Sequence, residues 1–184
     1  KRCCNHPNIV AVYGMNSNPS THQANILMEF CSDDLIKHIN SVFHSGFDDR
    51  TIVDVFVQVC EAVNHMHSLN PPVIHRDLKP ENVLRNNGKW KLCDFGSATT
   101  HIYNLETERT VAEDDIQKNT TALYRAPEMC DLYRSETIGP KADVWALGCV
   151  LFKLCTFKDA FDEANNLQIL NVKYHWPQNR NVNP

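Results

Sequence analysis

The chain reads as an α+β protein, with paired strands near its start and a mainly helical remainder. Three observations carry that reading. Two short apolar segments, residues 9–13 and 24–30, flank a polar turn at 16–23 that contains Pro19, the pattern of a β-hairpin. Apolar residues recur at helical spacing in two later stretches. Between those stretches, residues 94–128 follow no regular period, and loops of that length are uncommon and usually functional. At 184 residues the chain is long enough for one good core, or for one domain and part of another.

After the hairpin, residues 33–40 predict a short helix with Asp33 and Asp34 in its first turn, where negative charge meets the positive end of the helix dipole. Asp48 is placed to cap the next helix. Along that helix Ile52, Val55, Phe56, Val59, Val63 and Met66 recur at spacings of three and four, a core-facing stripe that Pro71-Pro72 brings to an end. Residues 83–84 and 91–93 read as brief strands around an Asn86-Asn87-Gly88 turn. Residues 140–155 read as a buried helix through Val144, Leu147, Leu151 and Leu154, with Pro140 near its first turn. Beyond Thr156 the pattern weakens, and the last ten residues hold three asparagines and two prolines.

A net charge of −4 leaves no basic footprint, so nucleic acid is not an expected partner. No apolar run reaches membrane-spanning length, so direct membrane insertion is not expected, and Lys1-Arg2-Cys3-Cys4 lacks the apolar core of a signal peptide. The eight cysteines, at 3, 4, 31, 60, 93, 130, 149 and 155, are scattered without metal-ligand spacing. Cys3-Cys4 with His6 mimics a metal corner, but reduced thiols in a cytosolic protein are the expectation.

The chemistry concentrates in one run. Residues 75–82 read His-Arg-Asp-Leu-Lys-Pro-Glu-Asn, and Asp94-Phe95-Gly96 follows after eleven residues. Together they place a base, a phosphate-binding lysine and two metal ligands in a short stretch, the groups that transfer of the γ-phosphoryl of ATP to a hydroxyl requires. Asp and Asn are common in turns, so each residue alone has a structural reading. All four in order leave that reading little room. On these motifs the chain resembles a eukaryotic protein kinase over nearly its whole length, which implies a bilobal fold.

The resemblance assigns roles residue by residue. Asp77 matches the catalytic-loop aspartate that accepts the hydroxyl proton. Lys79, the serine/threonine-type lysine, neutralises the transferring group. Asn82 and Asp94 match the ligands of two Mg2+ ions, whose hardness suits oxygen donors. Thr121 matches the threonine bridging the catalytic aspartate and lysine. His75 and Phe95 match a stacked apolar pair, and Asp143 a buried aspartate that holds the catalytic-loop backbone. Arg76 matches an arginine that grips a phosphorylated activation segment, which here closes with Ala126-Pro127-Glu128. On the nucleotide side, residues 27–31 (Leu-Met-Glu-Phe-Cys) resemble the hinge between lobes. Met28 is then the gatekeeper, and the Glu29 carbonyl and Cys31 amide and carbonyl face adenine. Leu84 lies beneath the ring, Cys93 lines the floor, and Asp34 reaches the ribose, with a solvated helix N-terminus as its alternative.

A second cluster narrows the resemblance. Residues 93–99 (Cys-Asp-Phe-Gly-Ser-Ala-Thr), the acidic stretch 112–116 and residues 120–129 are similar to the Numb-associated kinases, of the adaptor-associated and cyclin-G-associated type. Residues 27–31 and 142–155 agree; Pro80, where close members carry an aliphatic residue, departs. In that family the acidic stretch forms an extra helix beside the substrate site, here residues 111–117; a solvated acidic loop is the alternative. The resemblance implies a protein substrate such as a clathrin-adaptor subunit, and a cytoplasmic location with peripheral association at coated membranes. Six threonines from Thr99 to Thr121 offer phosphosites for Arg76, while Glu113, Asp114 and Asp115 offer constitutive charge; the second is expected.

His6-Pro7-Asn8-Ile9-Val10 follows the first small-lobe helix in such kinases. The chain is therefore expected to be a partial kinase domain, with 1–30 a remnant of the small lobe and hinge and 31–184 the large lobe. A glycine-rich loop, strand lysine and helix glutamate are not among these residues, nor is the arginine that would pair a buried Glu128. Alone, the piece is expected to fold poorly and to transfer phosphate negligibly. The alternative to an active kinase is a pseudokinase or kinase-like scaffold that binds protein partners without catalysis.

Overall fold

The computed structural model describes residues 3, 5–18, 20–134, 137–162 and 165–177. Cys4, hence the Cys3-Cys4-His6 corner as a unit, Pro19, Lys1-Arg2 and all but three of the last ten residues lie outside them. Cys31, Cys60, Cys93, Cys130 and Cys149 are free thiols, and no helix among the described residues is long and apolar enough to cross a membrane.

Strands β1 (Val12–Asn18) and β2 (Gln23–Met28) pair antiparallel as the expected hairpin. The ladder runs further into the polar segment than residue type predicts, pairing Asn16 with Asn25 and Asn18 with Gln23. Ladder bonds are made by backbone groups, so an exposed strand accepts polar side chains readily. Asp33 and Asp34 are not in a helical first turn. They form β3 (Asp33–Asp34), paired with β4 (Val83–Asn86), and β4 pairs with β5 (Lys89–Leu92). Between β4 and β5 both Asn87 and Gly88 have positive φ, 49° and 76°, as a tight two-residue turn requires.

Helix α1 (Leu35–Ser41) begins after β3, with Asp34 as its cap. Helix α2 (Asp49–His67) begins at Asp48, whose carboxylate accepts the Thr51 N–H at 2.7 Å. Ile52, Val55, Val59, Ala62, Val63 and Met66 of α2 are buried, and Phe56 is half-buried. Full burial of one such aliphatic side chain is worth roughly 1.5–3 kcal/mol, so α2 is a principal support of the core. The Gln58 side chain on α2 accepts from the Trp90 N–H and from the Asn8 amide, which ties the helix to β5 and to the incoming chain. That chain pairs directly with β5: Val10 donates to the Leu92 carbonyl, and Leu92 donates to that of Asn8.

Residues 94–128 are less irregular than their sequence indicates. β6 (Tyr103–Asn104) leads into α3 (Arg109–Asn119), so the acidic stretch is helical rather than a solvated loop. Ala112 and Ile116 of α3 pack with Tyr103, Leu105, Ala126 and Met129 in a second core, which short helix α4 (Pro127–Cys130) and β7 (Thr137–Ile138), the partner of β6, complete. A short amphipathic segment becomes helical because that core receives its two apolar residues. Helix α5 (Lys141–Thr156) runs through the main core. Its buried face is Ala146, Leu147, Cys149, Val150 and Leu154 together with Asp143, whereas Val144 is 50% exposed. The buried aspartate rotates the helix away from the purely apolar stripe. Helix α6 (Asn166–Leu170) follows, packed on α4. Glu128 is half-buried rather than buried.

Candidate active site

The loop after α2 carries the motif residues into place by way of one buried acid. Asp143 is 1% exposed. Its Oδ2 accepts the His75 N–H at 2.8 Å and its Oδ1 the Arg76 N–H at 2.9 Å, while His67 Nε2 donates to Oδ2 at 2.8 Å. Arg76 sits at φ 69°, a left-handed conformation that a non-glycine residue adopts at a cost of about 1–3 kcal/mol. The carboxylate behind it holds the backbone there, so Asp77 projects at the turn.

His75 is fully buried. It donates through Nε2 to the Cys93 carbonyl at 3.0 Å, and its ring meets Phe95 edge-on at 5.1 Å. Burial lowers its pKa and, among the described residues, Nδ1 has no hydrogen-bond partner, so the ring stays neutral. Through its contacts with Cys93 and Phe95, His75 joins the 75–82 run to residues 93–96.

Three predicted residues converge on Asp77. Thr121 Oγ1 donates to Oδ1 at 2.6 Å, Lys79 Nζ meets Oδ2 at 2.8 Å, and Asn82 Nδ2 donates to Oδ2 at 3.3 Å and to the Asp77 carbonyl at 2.8 Å. Lys79 also donates to Thr121 Oγ1 at 2.9 Å, closing a triangle. Burial pushes the Asp77 carboxyl up, but the bonds from Lys79 and Thr121 outweigh it and hold the group below the ordinary aspartate range. It is ionised at neutral pH and able to orient a hydroxyl.

Asp94 is exposed, in a left-handed conformation at φ 56°, and accepts the Gly96 N–H. With the Asn82 amide nitrogen committed to the Asp77 carbonyl, its amide oxygen is a hard donor, as is the Asp94 carboxylate, and the Cys93 N–H bonded to the Asn82 carbonyl links the two segments. Among the described residues no three His, Cys, Asp or Glu side chains gather to hold a metal by themselves. Such a pair fits Mg2+, which takes one or two protein ligands and completes its shell with phosphate oxygens and water.

On the nucleotide side, Met28 ends β2 and is exposed, and Leu84 lies half-buried on β4 opposite Asp34 and Lys91. The Cys93 thiol is pushed up to about 12 by burial and by the Asp94 charge. The Asp34 carboxylate is turned to its own helix: Oδ1 accepts the Lys37 N–H at 2.8 Å and Oδ2 pairs with Lys37 Nζ at 2.7 Å.

Sequence reasoning expected Glu113, Asp114 and Asp115 to supply charge for Arg76; the structure gives that place to Asp115, and several further partners were missed. Arg76 Nε donates to the Ser97 carbonyl, and its Nη1 pairs with Asp115 of α3. Asp115 further accepts from Tyr103 Oη at 2.7 Å and Asn119 Nδ2 at 2.6 Å, whereas Glu113 and Asp114 face solvent. Helical phase singles out Asp115, and Asn119 at i+4 was the available signal. His67, 76 residues from Asp143, left no signal in the sequence.

The comparisons with known proteins agree with this geometry. The family profile described as protein kinase domain matches residues 1–182, and the chain belongs to that family. It is 46% identical over 183 residues to a probable serine/threonine-protein kinase of Dictyostelium discoideum, covering 95% of this chain and 23% of that protein. A second probable serine/threonine-protein kinase of Dictyostelium discoideum is 46% identical over 188 residues, covering 97% of this chain and 17% of that protein. Actin-regulating kinase 1 of Saccharomyces cerevisiae is 41% identical over 161 residues, covering 85% of this chain and 25% of that protein. The chain thus spans a quarter or less of the length of these relatives.

Proposed function

We propose that this chain is the catalytic part of an active serine/threonine protein kinase of the Numb-associated type, residues 1–30 belonging to the small lobe and hinge and 31–184 to the large lobe. The Asp77–Lys79–Thr121 triangle carries the reading. In it Asp77 orients the substrate hydroxyl. As the oxygen forms its bond to the γ-phosphorus and the bond to the β,γ-bridging oxygen breaks, the hydroxyl proton passes to Asp77 and ADP leaves. Because its carboxyl is held low, Asp77 is a weak base, and proton transfer comes late; orientation is its larger contribution. Lys79 meets the growing charge on the transferring group, and Thr121 keeps lysine and aspartate in register. Asn82 and Asp94 would hold Mg2+, which when bound would supply neutralisation of phosphate charge.

The matched motifs and the similarity to Actin-regulating kinase 1 support a role in endocytosis or vesicle trafficking, with a clathrin-adaptor subunit as protein substrate and a cytoplasmic site of action at coated membranes. The test is phosphorylation of purified adaptor subunits, and of a general acceptor protein, by the full-length protein with radiolabelled ATP and Mg2+. Asp77→Asn should lower transfer by roughly 10²–10⁴-fold. Equal labelling by wild type and Asp77→Asn would overturn the catalytic reading in favour of a scaffold; labelling of the general acceptor alone would overturn the adaptor assignment.

A further inference from the structure

The Glu29 carboxylate takes no part in the chemistry above, yet both its oxygens are fully engaged. Oε2 accepts the Ala11 N–H at 3.1 Å and pairs with Lys91 Nζ at 2.9 Å; Oε1 accepts from Asn86 Nδ2 at 2.8 Å. The Glu29 N–H donates in turn to the Ala11 carbonyl at 2.8 Å. Partners 18, 57 and 62 residues away thus meet on one side chain. The ion pair is largely withdrawn from water, with Glu29 12% and Lys91 13% exposed. Burial pushes the Glu29 carboxyl up, but Asn86, Lys91 and Ala11 together hold it below the ordinary glutamate range, so the pair is charged at neutral pH.

Its position gives this arrangement a consequence. The β1–β2 hairpin joins the rest of the molecule through two runs of backbone, residues 8–11 and residues 29–32. The first is paired to Leu92 of β5. Glu29 stands where the two runs touch, and it alone of residues 29 and 30 has an anchored side chain, since Phe30 is 82% exposed. Lys91 lies two residues before Cys93 on β5, and Asn86 ends β4, the strand that carries Leu84. We propose that Glu29 is a positioning residue, whose carboxylate clamps the hinge onto β4 and β5 and so holds the backbone of residues 29–31 in the pose that receives a nucleotide. The inference rests on the ATP-binding reading above and adds to it a side chain that never touches the ligand.

The test uses the full-length protein, with ATP and Mg2+ titrated by calorimetry and amide hydrogen exchange followed at residues 30–32. Glu29→Gln keeps the side chain's size and removes its charge; Lys91→Met removes the partner from the large-lobe side and serves where the first variant folds poorly. Each should weaken ATP binding about tenfold, and the double variant should be no worse than either single one, because one interaction is lost in all three. Exchange at the hinge should quicken in each. At saturating ATP, kcat of Lys91→Met should stay within about threefold of wild type, since the pair does not face the reacting atoms. Unchanged affinity in both single variants, or additive losses in the double, would overturn the clamp while leaving the kinase reading intact. Wild-type protein that binds ATP but phosphorylates nothing would overturn the kinase reading, and affinity and exchange would still judge the clamp.

Discussion

The catalytic loop and the β1–β2 hairpin are held by different means. Around the loop, His75 and Asp143 are fully buried, and Asp77 is bonded from residues two, five and 44 positions away. The hairpin exposes Tyr13, Met15 and Leu27 at 68%, 67% and 65%. Its ties to the other sheet, among the described residues, include the pairing of residues 8–11 with Leu92, the bond from Asn8 Nδ2 to the Trp90 carbonyl and the bonds of Glu29. Buried polar networks are rigid when complete, because every missing bond is expensive in low dielectric. An exposed hairpin with few anchors opens at small free-energy cost. Within this chain the network around Asp77 is therefore preorganised, whereas the β1–β2 hairpin is held by fewer bonds.

The sharpest way to break that contrast is Asp143→Ala. It strands the His75 and Arg76 N–H groups and the His67 ring at once, and should cost about 2–5 kcal/mol of stability in a denaturant titration while abolishing transfer. A loss below about 0.5 kcal/mol would mean the loop is ordered by something else.

A smaller effect separates the three acidic residues of α3. Asp115→Asn should lower kcat about tenfold, near 1.4 kcal/mol, by loosening Arg76, whereas Glu113→Gln with Asp114→Asn should stay within about twofold. The same pair carries a pH signature. Burial raises the Asp115 carboxyl, but Tyr103, Arg76 and Asn119 hold it below the ordinary aspartate range. A carboxyl depressed on folding stabilises fully above its unfolded value, about pH 4, and that contribution is lost as pH falls through the depressed folded value. The stability gap between wild type and Asp115→Asn should accordingly be flat at neutral pH and close in acid. A gap that widened in acid would reverse the assignment.

The smallest effect belongs to the hairpin. Met15→Ser should change stability by no more than about 0.5 kcal/mol in the same titration. A loss above about 1 kcal/mol would show that the hairpin packs as firmly as the loop and would erase the contrast.

Much of the site was legible because its chemistry is local. Asp77, Lys79 and Asn82 lie within one run, and the loop that presents them is short enough for spacing to set their geometry. The α2 stripe was legible for the same reason, since periodicity and a capping aspartate act within a few turns. Asp33 misled because helix-end preferences are weak beside the pairing that the β4 edge demands, whereas Asp34 both pairs with β4 and caps α1. Val144 misled because an apolar stripe does not register a buried carboxylate that fixes the rotation of α5. Asp115 could not be told from its two acidic neighbours until α3 acquired a phase against Arg76.

By itself, then, the sequence determined the class of fold, the run of residues that gathers around Asp77, and the elements whose signals repeat within a few residues. Tertiary structure alone decided which acid faces Arg76, that His67 joins Asp143 from 76 residues away, and that Glu29 gathers Ala11, Asn86 and Lys91. The reason is physical. Propensity and periodicity act between neighbours along the chain, whereas the partner of a buried charge is chosen by whichever side chains the completed core brings within about 3 Å of it.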